Sequence, residues 1–523
     1  MKYTYNIVIV GLGLLLSSCD KDLLNTIPND RITSEIYWTQ EKDAILAVNA
    51  MYTFLEGDDV FSYDAMSDIA RPNNSYQEEA YVVRGTYDGF STLVTQKWND
   101  AYKGIRAVNY FLENVDQIPE IDPDLDARLK GEARFLRAYQ YFRLVRLYGR
   151  VPLVTQTLDI EEGKEVTQES VENIYAFVES ELVDAADLLP VKQIEAGRIT
   201  KGAALSLLAR VYHYNAKYEK AAEKAKEVMD LDIYSLYFSY ENLFSYSAEN
   251  NAEVILDKQF IANIYANETF NLFAPYSQSS SGAILPVKKL VDAYDMDNGK
   301  SITDASSGFD PKDPYANRDP RLLFSIYAPG SKLPDGTTYD SRPSSGTPDA
   351  IGYNPGTTKT GFNVKKYVNV EDRNDRTNSG INIILMRYAE ILLIYAESKI
   401  MLNEIDQSVY DAINMIRQRE DVDMPIITTS KSQSELLTIV RKERMIELAF
   451  EGQRFFDIRR YGIIEDVMNG TSLGMTYVAS NGSLVTVKDD SFVRFFDPKR
   501  DLLWPIPQKD LDLNPNLTNN PGW

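Results

Sequence analysis

Leu208-Ala209-Arg210-Val211-Tyr212, followed by Tyr218, Ala221, Ala225 and Val228, sets small and large residues at the spacing of two antiparallel helices. Alanines at such positions let helix axes approach closely while aromatic rings fill the remaining gap, the packing logic of a tetratricopeptide unit. Weaker copies of the first-helix pattern stand at Trp98-Asn99-Asp100-Ala101-Tyr102 and Leu136-Arg137-Ala138-Tyr139-Gln140-Tyr141. Another begins at Met386-Arg387-Tyr388-Ala389-Glu390 and runs to Ala396, with 409–419 as its partner helix. Segments between these pairs break a regular array. The expected fold is mainly α: a tetratricopeptide-like helical repeat scaffold carrying an inserted loop-rich subdomain with short strands.

Outward from that core, apolar periodicity predicts an amphipathic helix over 36–55, with Thr33-Ser34-Glu35 as its N-cap and acidic first turn. Helices are expected over 98–115 and 126–147, the latter stopped by Gly149 and Pro152, then over 171–189 and 201–229. The stretch 57–89 reads as a polar loop. Between 295 and 380 the pattern changes, because eight of the chain's 22 prolines fall between 311 and 355 among Gly, Ser and Asp. Loops that long are uncommon unless functional or disordered. Tyr315, Tyr327, Tyr339, Tyr353 and Phe362 argue for order.

The N-terminus begins with Lys2, continues through the apolar run 7–16, and ends Leu16-Ser17-Ser18-Cys19, which holds the only cysteine in 523 residues. A charged start, a ten-residue apolar core and small residues before a cysteine are the features of a bacterial lipoprotein signal. Residues 1–18 are therefore expected to be cleaved, leaving Cys19 acylated and 19–32 as a tether. Each buried methylene contributes about 0.8 kcal/mol, so several acyl chains would anchor the protein to a membrane. A formal charge of −22, from 77 acidic against 55 basic side chains, disfavours nucleic acid and bare anionic lipid. A neutral or cationic ligand fits better.

The composition also bears on chemistry. Tyrosine occurs 34 times against 21 phenylalanines and 4 tryptophans, and a phenol combines a flat apolar face with a hydrogen-bonding edge suited to sugar rings or peptide backbones. The single histidine, His213, lies on a repeat helix and reads as structural, so neither a Ser/His nor a Cys/His catalytic set has a choice of base. Zinc sites of Cys/His composition are excluded, and Asp295-Met296-Asp297-Asn298-Gly299 reads as a turn because glycine stands at the fifth position of a would-be calcium loop. No cofactor and no metal site is expected. Glycoside hydrolysis needs only two carboxylates and stays open as the rival of different class.

Several longer motifs carry a family resemblance. Gly131-Glu132-Ala133-Arg134-Phe135-Leu136-Arg137-Ala138, continuing to Arg146-Leu147-Tyr148-Gly149-Arg150-Val151-Pro152-Leu153, resembles the central signature of the SusD/RagB family. So do Arg198-Ile199-Thr200-Lys201-Gly202-Ala203-Ala204, Asn317-Arg318-Asp319-Pro320-Arg321, and Arg441-Lys442-Glu443-Arg444 through Glu447 to Asp457 and Arg459-Arg460. Trp504-Pro505-Ile506-Pro507 and Asn520-Pro521-Gly522-Trp523 complete the set. The resemblance implies an outer-membrane lipoprotein of four tetratricopeptide-like units, surface-exposed and seated on a SusC-like TonB-dependent barrel transporter. Such a protein captures an oligosaccharide and passes it to the barrel, without being an enzyme; some relatives capture peptides. It divides the chain into a repeat region over 33–260 and a C-terminal region over 261–523.

Within 441–460 the charges at helical spacing, Arg444 with Glu447 and Glu447 with Glu451, read as a structural ion-pair lattice. Trp38, Trp98, Trp504 and Trp523 read as framework and are expected in the core. Ligand contacts are expected where loops are carried on rigid helices. The first such loop offers Asp68, Arg71, Asn73, Asn74, Tyr76 and Tyr81, a set able to stack on a sugar and bond its hydroxyls. The second offers Phe273 and Tyr276, ahead of Ser277-Gln278-Ser279-Ser280-Ser281-Gly282. The third offers Tyr339 and Tyr353. For each residue alone, ordinary loop packing is the competing reading.

Overall fold

The structure is a computed structural model that describes residues 37–193 and 195–523. The expected lipoprotein signal, Cys19, the expected tether and the expected cap at 33–35 lie outside the described residues. Eight helices form the scaffold: α1 Glu41–Met51, α2 Thr92–Asn114, α3 Pro123–Tyr148, α4 Val171–Leu188, α5 Lys201–Tyr214, α6 Tyr218–Asp230, α7 Tyr388–Met401 and α8 Gln407–Arg417. Each packs on the next, so the pairs α1/α2, α3/α4, α5/α6 and α7/α8 stack into one short solenoid. Two further helices, α9 Gln433–Glu447 and α10 Arg454–Arg460, lie against its end, with α9 on α7.

Local chemistry sets these boundaries. The Asp122 carboxylate accepts from the N–H groups of Asp124 and Leu125 at 3.1 and 2.9 Å, Pro123 occupies the first helical position, and Gly149 ends α3 at φ 67°. The Thr200 hydroxyl caps α5 through Ala203 N–H at 3.2 Å. The two antiparallel helices expected within 201–229 are separated at Asn215-Ala216-Lys217, where the chain reverses and Ala216 takes φ 54°. Among the described residues, helix α1 starts at Glu41, where the Asp43 carboxylate takes the Gln40 N–H at 3.1 Å and fixes the first turn. Ala203, Ala204, Ala209, Ala221 and Ala225 are fully buried, as close helix approach requires.

Two stretches depart from the sequence reading. The span 57–89 is largely packed inside: Phe61 lies 4.7 Å from Phe273 and Tyr63 lies 4.8 Å from Phe456, ring centroid to centroid. It forms short helices at Ser62–Ala65 and Glu78–Val83 around strand β1 Ala70–Pro72. The long hairpin near the C-terminus, β7 Gly470–Val478 and β8 Leu484–Arg494, was not read from the sequence, although Asn481-Gly482 between alternating residues is its signal.

The other strands pair as β2 Val254–Lys258 with β6 Ile383–Arg387, β1 with β3 Ile284–Pro286, and β4 Ile326–Tyr327 with β5 Asn363–Val364, all antiparallel. The β2/β6 ladder draws together the two ends of the long excursion between α6 and α7. Its middle, 295–380, consists of turns and short strands, and 295–299 is a turn closed by Gly299 N–H to Met296 O at 2.8 Å. Trp38, Trp98 and Trp504 are buried. Trp523 is only half-buried; its indole N–H lies 3.1 and 3.0 Å from the carbonyls of Arg500 and Leu503 and its ring sits 4.7 Å from Tyr87.

The charged signature around α9 is an interior structure. Glu447, fully buried, receives Arg321 at 2.9 Å, Arg387 at 2.8 Å and Arg419 at 3.0 Å. Arg387 also binds Glu253 at 2.8 Å and Glu451 at 2.7 Å. Arg444 reaches Asp457 at 2.9 Å and Glu390 at 3.2 Å. A lattice exists, but most of its bonds join different elements; Asp457 and Arg460, 3.2 Å apart, pair along one helix. Helix α9 ends at Glu447, and although the chain leaves the helical path through Phe450 at φ 62° and Gly452 at φ 75°, Glu451 still meets Glu447 at Arg387; a Cβ on Gly452 would meet the Val60 carbonyl at 2.8 Å.

Candidate functional site

The β1/β3 ladder aligns Arg71 with Leu285 and is extended by Asn73 N–H to Ala283 O at 2.9 Å. This pins the 73–77 turn beside the 276–283 loop. The Asn73 side-chain amide then donates to Ser281 O at 3.4 Å and to Gly356 O at 3.2 Å. Three segments far apart in sequence therefore meet at one buried amide. The Tyr276 ring rests on Gly356, where an added Cβ would come within 3.2 Å of its Cδ2. Ser277 N–H donates to Asp349 Oδ1 at 2.8 Å, and Gln278 Nε2 donates to Asp335 at 3.1 Å, fastening the second loop to the third.

Sequence-predicted residues divide by burial. Tyr76 and Tyr353 are 73 % and 59 % exposed. Tyr276, Asn74 and Tyr81 are half-buried, and Arg84 lies 5.8 Å from the Tyr81 ring centroid. Tyr276 rests on Gly356, Asn74 and Tyr76 follow Asn73 within its turn, and Tyr353 precedes Gly356 by three residues, so these side chains belong to the three segments that meet at the Asn73–Gly356 junction. Phenol rings held there on short, hydrogen-bonded turns can stack on a flat apolar face and bond hydroxyls or amides at their edges.

The remaining residues are supports, and the expectation that they face a ligand is corrected. Asp68 is fully enclosed: Arg454 binds both its oxygens at 2.8 and 2.9 Å and Lys289 adds a contact at 2.7 Å. Burial alone would raise its pKa, but those two cations and their hydrogen bonds hold it down at about 2. The Arg71 guanidinium lies 4.0 Å from the Phe492 ring centroid and binds Asp489 at 3.0 Å, locking β1 to the hairpin. Phe273 belongs to the core. Tyr339 is fully buried against Tyr327, its hydroxyl donating to Asn363 Oδ1 at 3.0 Å. Asn73 positions the loops, and its Oδ1 has no hydrogen-bond partner among the described residues. Sequence reasoning missed Gly356, Asp349 and Asp489; only the glycine, beside Pro355, carried a turn signal.

His213 is fully buried between Ser398 at 3.0 Å and Glu397 at 3.1 Å. Burial, reinforced by Arg460, pushes its pKa down to about 4, so it stands neutral at pH 7 inside the scaffold. Among the described residues, no group of three or more His, Cys, Asp and Glu is gathered to hold a metal ion, and no helix is long and apolar enough to cross a membrane.

Comparison with known proteins adds the following. Residues 241–523 match the family described as "SusD family", and residues 24–213 match the family described as "Starch-binding associating with outer membrane". SusD-like protein P2 of Formosa agariphila is 26% identical over 542 residues, covering 99% of both chains. Starch-binding protein SusD of Bacteroides thetaiotaomicron is 23% identical, covering 80% of this chain and 76% of its own. A crystal structure of a SusD-like carbohydrate binding protein from Bacteroides fragilis superposes with a TM-score of 0.85 at 29% identity, over 92% of this chain and 100% of that one.

Proposed function

This chain belongs to the SusD family, and we propose from that premise that it is a surface-exposed outer-membrane lipoprotein, anchored through Cys19, which captures oligosaccharides and hands them to a partner TonB-dependent transporter. The observation that carries the reading is the convergence of three loops on Asn73, which leaves Tyr76, Tyr276 and Tyr353 around one rigid junction. Sugar rings offer C–H faces to such phenols, and the Tyr76 hydroxyl and the Asn74 side-chain amide supply directional bonds. The names of the relatives, starch-binding and carbohydrate-binding, support a glycan as the ligand class. The chain's acidity favours a neutral one.

Affinity electrophoresis through gels containing soluble polysaccharides tests the reading. A capture protein is retarded by at least one glycan and releases no reducing sugar from it; hydrolysis would reassign the protein to enzymes, and retention by peptides alone would reassign the ligand. Cys19→Ala removes the only thiol, so the variant is expected to leave the membrane fraction in cells lacking the transporter. Retention of that variant on membranes would remove the anchor.

A further inference from the structure

A second concave surface lies apart from the three-loop face and shares no residue with it. It is a cavity of about 400 Å3 between the turn at 53–59, the middle of α2 and the loop at 258–266. One wall is aromatic: Phe260 and Tyr265 stack with centroids 5.2 Å apart and planes within 7° of parallel, and Tyr265 is 41 % exposed. Lys258 stands 5.5 Å from the Tyr265 centroid, its ammonium fixed by the carbonyls of Thr53 at 3.1 Å and Leu55 at 2.6 Å.

The opposite wall is polar and already ordered. Arg143, buried, donates to Gln140 at 2.7 Å and pairs with Glu56 at 3.2 Å, while its Nε has no partner among the described residues. An unpartnered buried guanidinium N–H is costly unless something polar meets it. Asp58 takes the Glu268 N–H at 2.8 Å, and Asp100 at the rim pairs with Lys103 at 3.0 Å. Acidic and basic side chains alternate around the cavity, so an otherwise strongly acidic protein has a nearly charge-balanced pocket there. Balanced, fixed donors and acceptors opposite a flat ring match a neutral polyhydroxylated ring better than an ion or an aliphatic chain.

We propose that this cavity is a second carbohydrate subsite, which receives one neutral hexose unit stacked on Tyr265 with its hydroxyls toward Asp100 and Arg143. The proposal rests on the glycan-capture reading and deepens it. With the three-loop face it gives the chain two points of attachment, and a polysaccharide bound at one point meets the other at raised effective concentration. A long neutral glycan is then held more tightly than a short one by avidity alone.

The test uses the full chain and Tyr265→Ala, an exposed position outside the buried frame, with Asp100→Ala as a second variant should the first lower the melting temperature by more than a few degrees. Affinity electrophoresis in starch, laminarin and other soluble neutral polysaccharides is expected to show at least tenfold weaker retention of either variant on the glycan the parent binds. Calorimetric titration with a short oligosaccharide of that glycan is expected to resolve two binding events in the parent, one in Tyr265→Ala, and none in Tyr76→Ala/Tyr265→Ala. Parent-like retention of folded Tyr265→Ala and Asp100→Ala, or a single binding event in the parent, overturns the second subsite and leaves the capture reading standing. A parent retained by no glycan overturns the capture reading and the subsite with it.

Discussion

The lattice around Glu447 and the three-loop face around Asn73 are both assembled from polar residues on distant segments, yet they do opposite work. In the lattice every charge is enclosed and answered: Glu447 alone meets three arginines. On the loop face the enclosed residues Asp68, Arg71 and Asn73 likewise bind protein, but the joined segments also carry exposed rings, Tyr76 and Tyr353, whose hydroxyls form no hydrogen bond among the described residues. The most conspicuous charged motif of the sequence is thus frame, and the quieter loop is surface. Burial of a charge demands partners, so a dense charged motif on a packed helix is consumed by the fold.

Breaking the lattice should give the largest effect. Glu447→Gln leaves Arg321, Arg387 and Arg419 short of a counter-charge in a buried site, and removing one partner of such a pair costs about 3 to 5 kcal/mol. Urea unfolding should show that loss, while glycan affinity measured where the variant is still folded should stay within twofold of the parent. A tenfold loss of affinity in the folded variant would mean that frame and surface are not separable.

Asp64 sharpens the comparison from inside the frame. It is fully buried, accepts the Gly452 N–H at 2.6 Å, and its other oxygen has no hydrogen-bond partner among the described residues. Burial raises its pKa from 3.8 to about 7. The folded state therefore binds a proton that the unfolded chain releases, so this group's contribution to stability is greatest below about pH 4, falls as pH rises toward 7, and is flat above. Asp64→Asn removes that dependence. The stability of the variant relative to the parent should rise by about 2 to 3 kcal/mol between pH 5 and pH 8, at roughly 1.4 kcal/mol per unit up to pH 7. An unchanged difference across that range would show that Asp64 is ionised throughout.

The smallest effect in stability is expected on the surface. Tyr76→Ala or Tyr276→Ala should weaken glycan binding about tenfold, equivalent to about 1.4 kcal/mol, with the melting temperature lowered by no more than a few degrees. Calorimetric titration and a thermal melt on the same samples decide it. Normal binding by both variants would move capture away from the three-loop face.

The helices were legible because their determinants are local. Asp122-Pro123 starts α3 and Gly149 ends it, and the alanine spacing at Ala209, Ala221 and Ala225 specifies close antiparallel packing whatever surrounds it. The proline-rich stretch announced turns for the same reason. The span 57–89 misled because polar residues and weak periodicity do not reveal that Phe61 and Tyr63 find aromatic partners at Phe273 and Phe456, about two hundred and four hundred residues away. The segments around Tyr276 and Tyr339 to Tyr353 were legible as loops, whereas the first holds strand β1 and the helix Glu78–Val83, and the structure brings all three together.

Sequence by itself determined the repeat helices, the loop-rich excursion and the choice of segments that carry the candidate face, since capping, turn chemistry and side-chain spacing act within a few residues. Tertiary structure alone decided which side chains of those segments reach solvent. Asp68 is taken by Arg454, Arg71 by Asp489 and Asn73 by Gly356, partners 386, 418 and 283 positions away. A side chain's exposure depends on what packs over it, and no local pattern encodes a partner brought in from the far end of the chain.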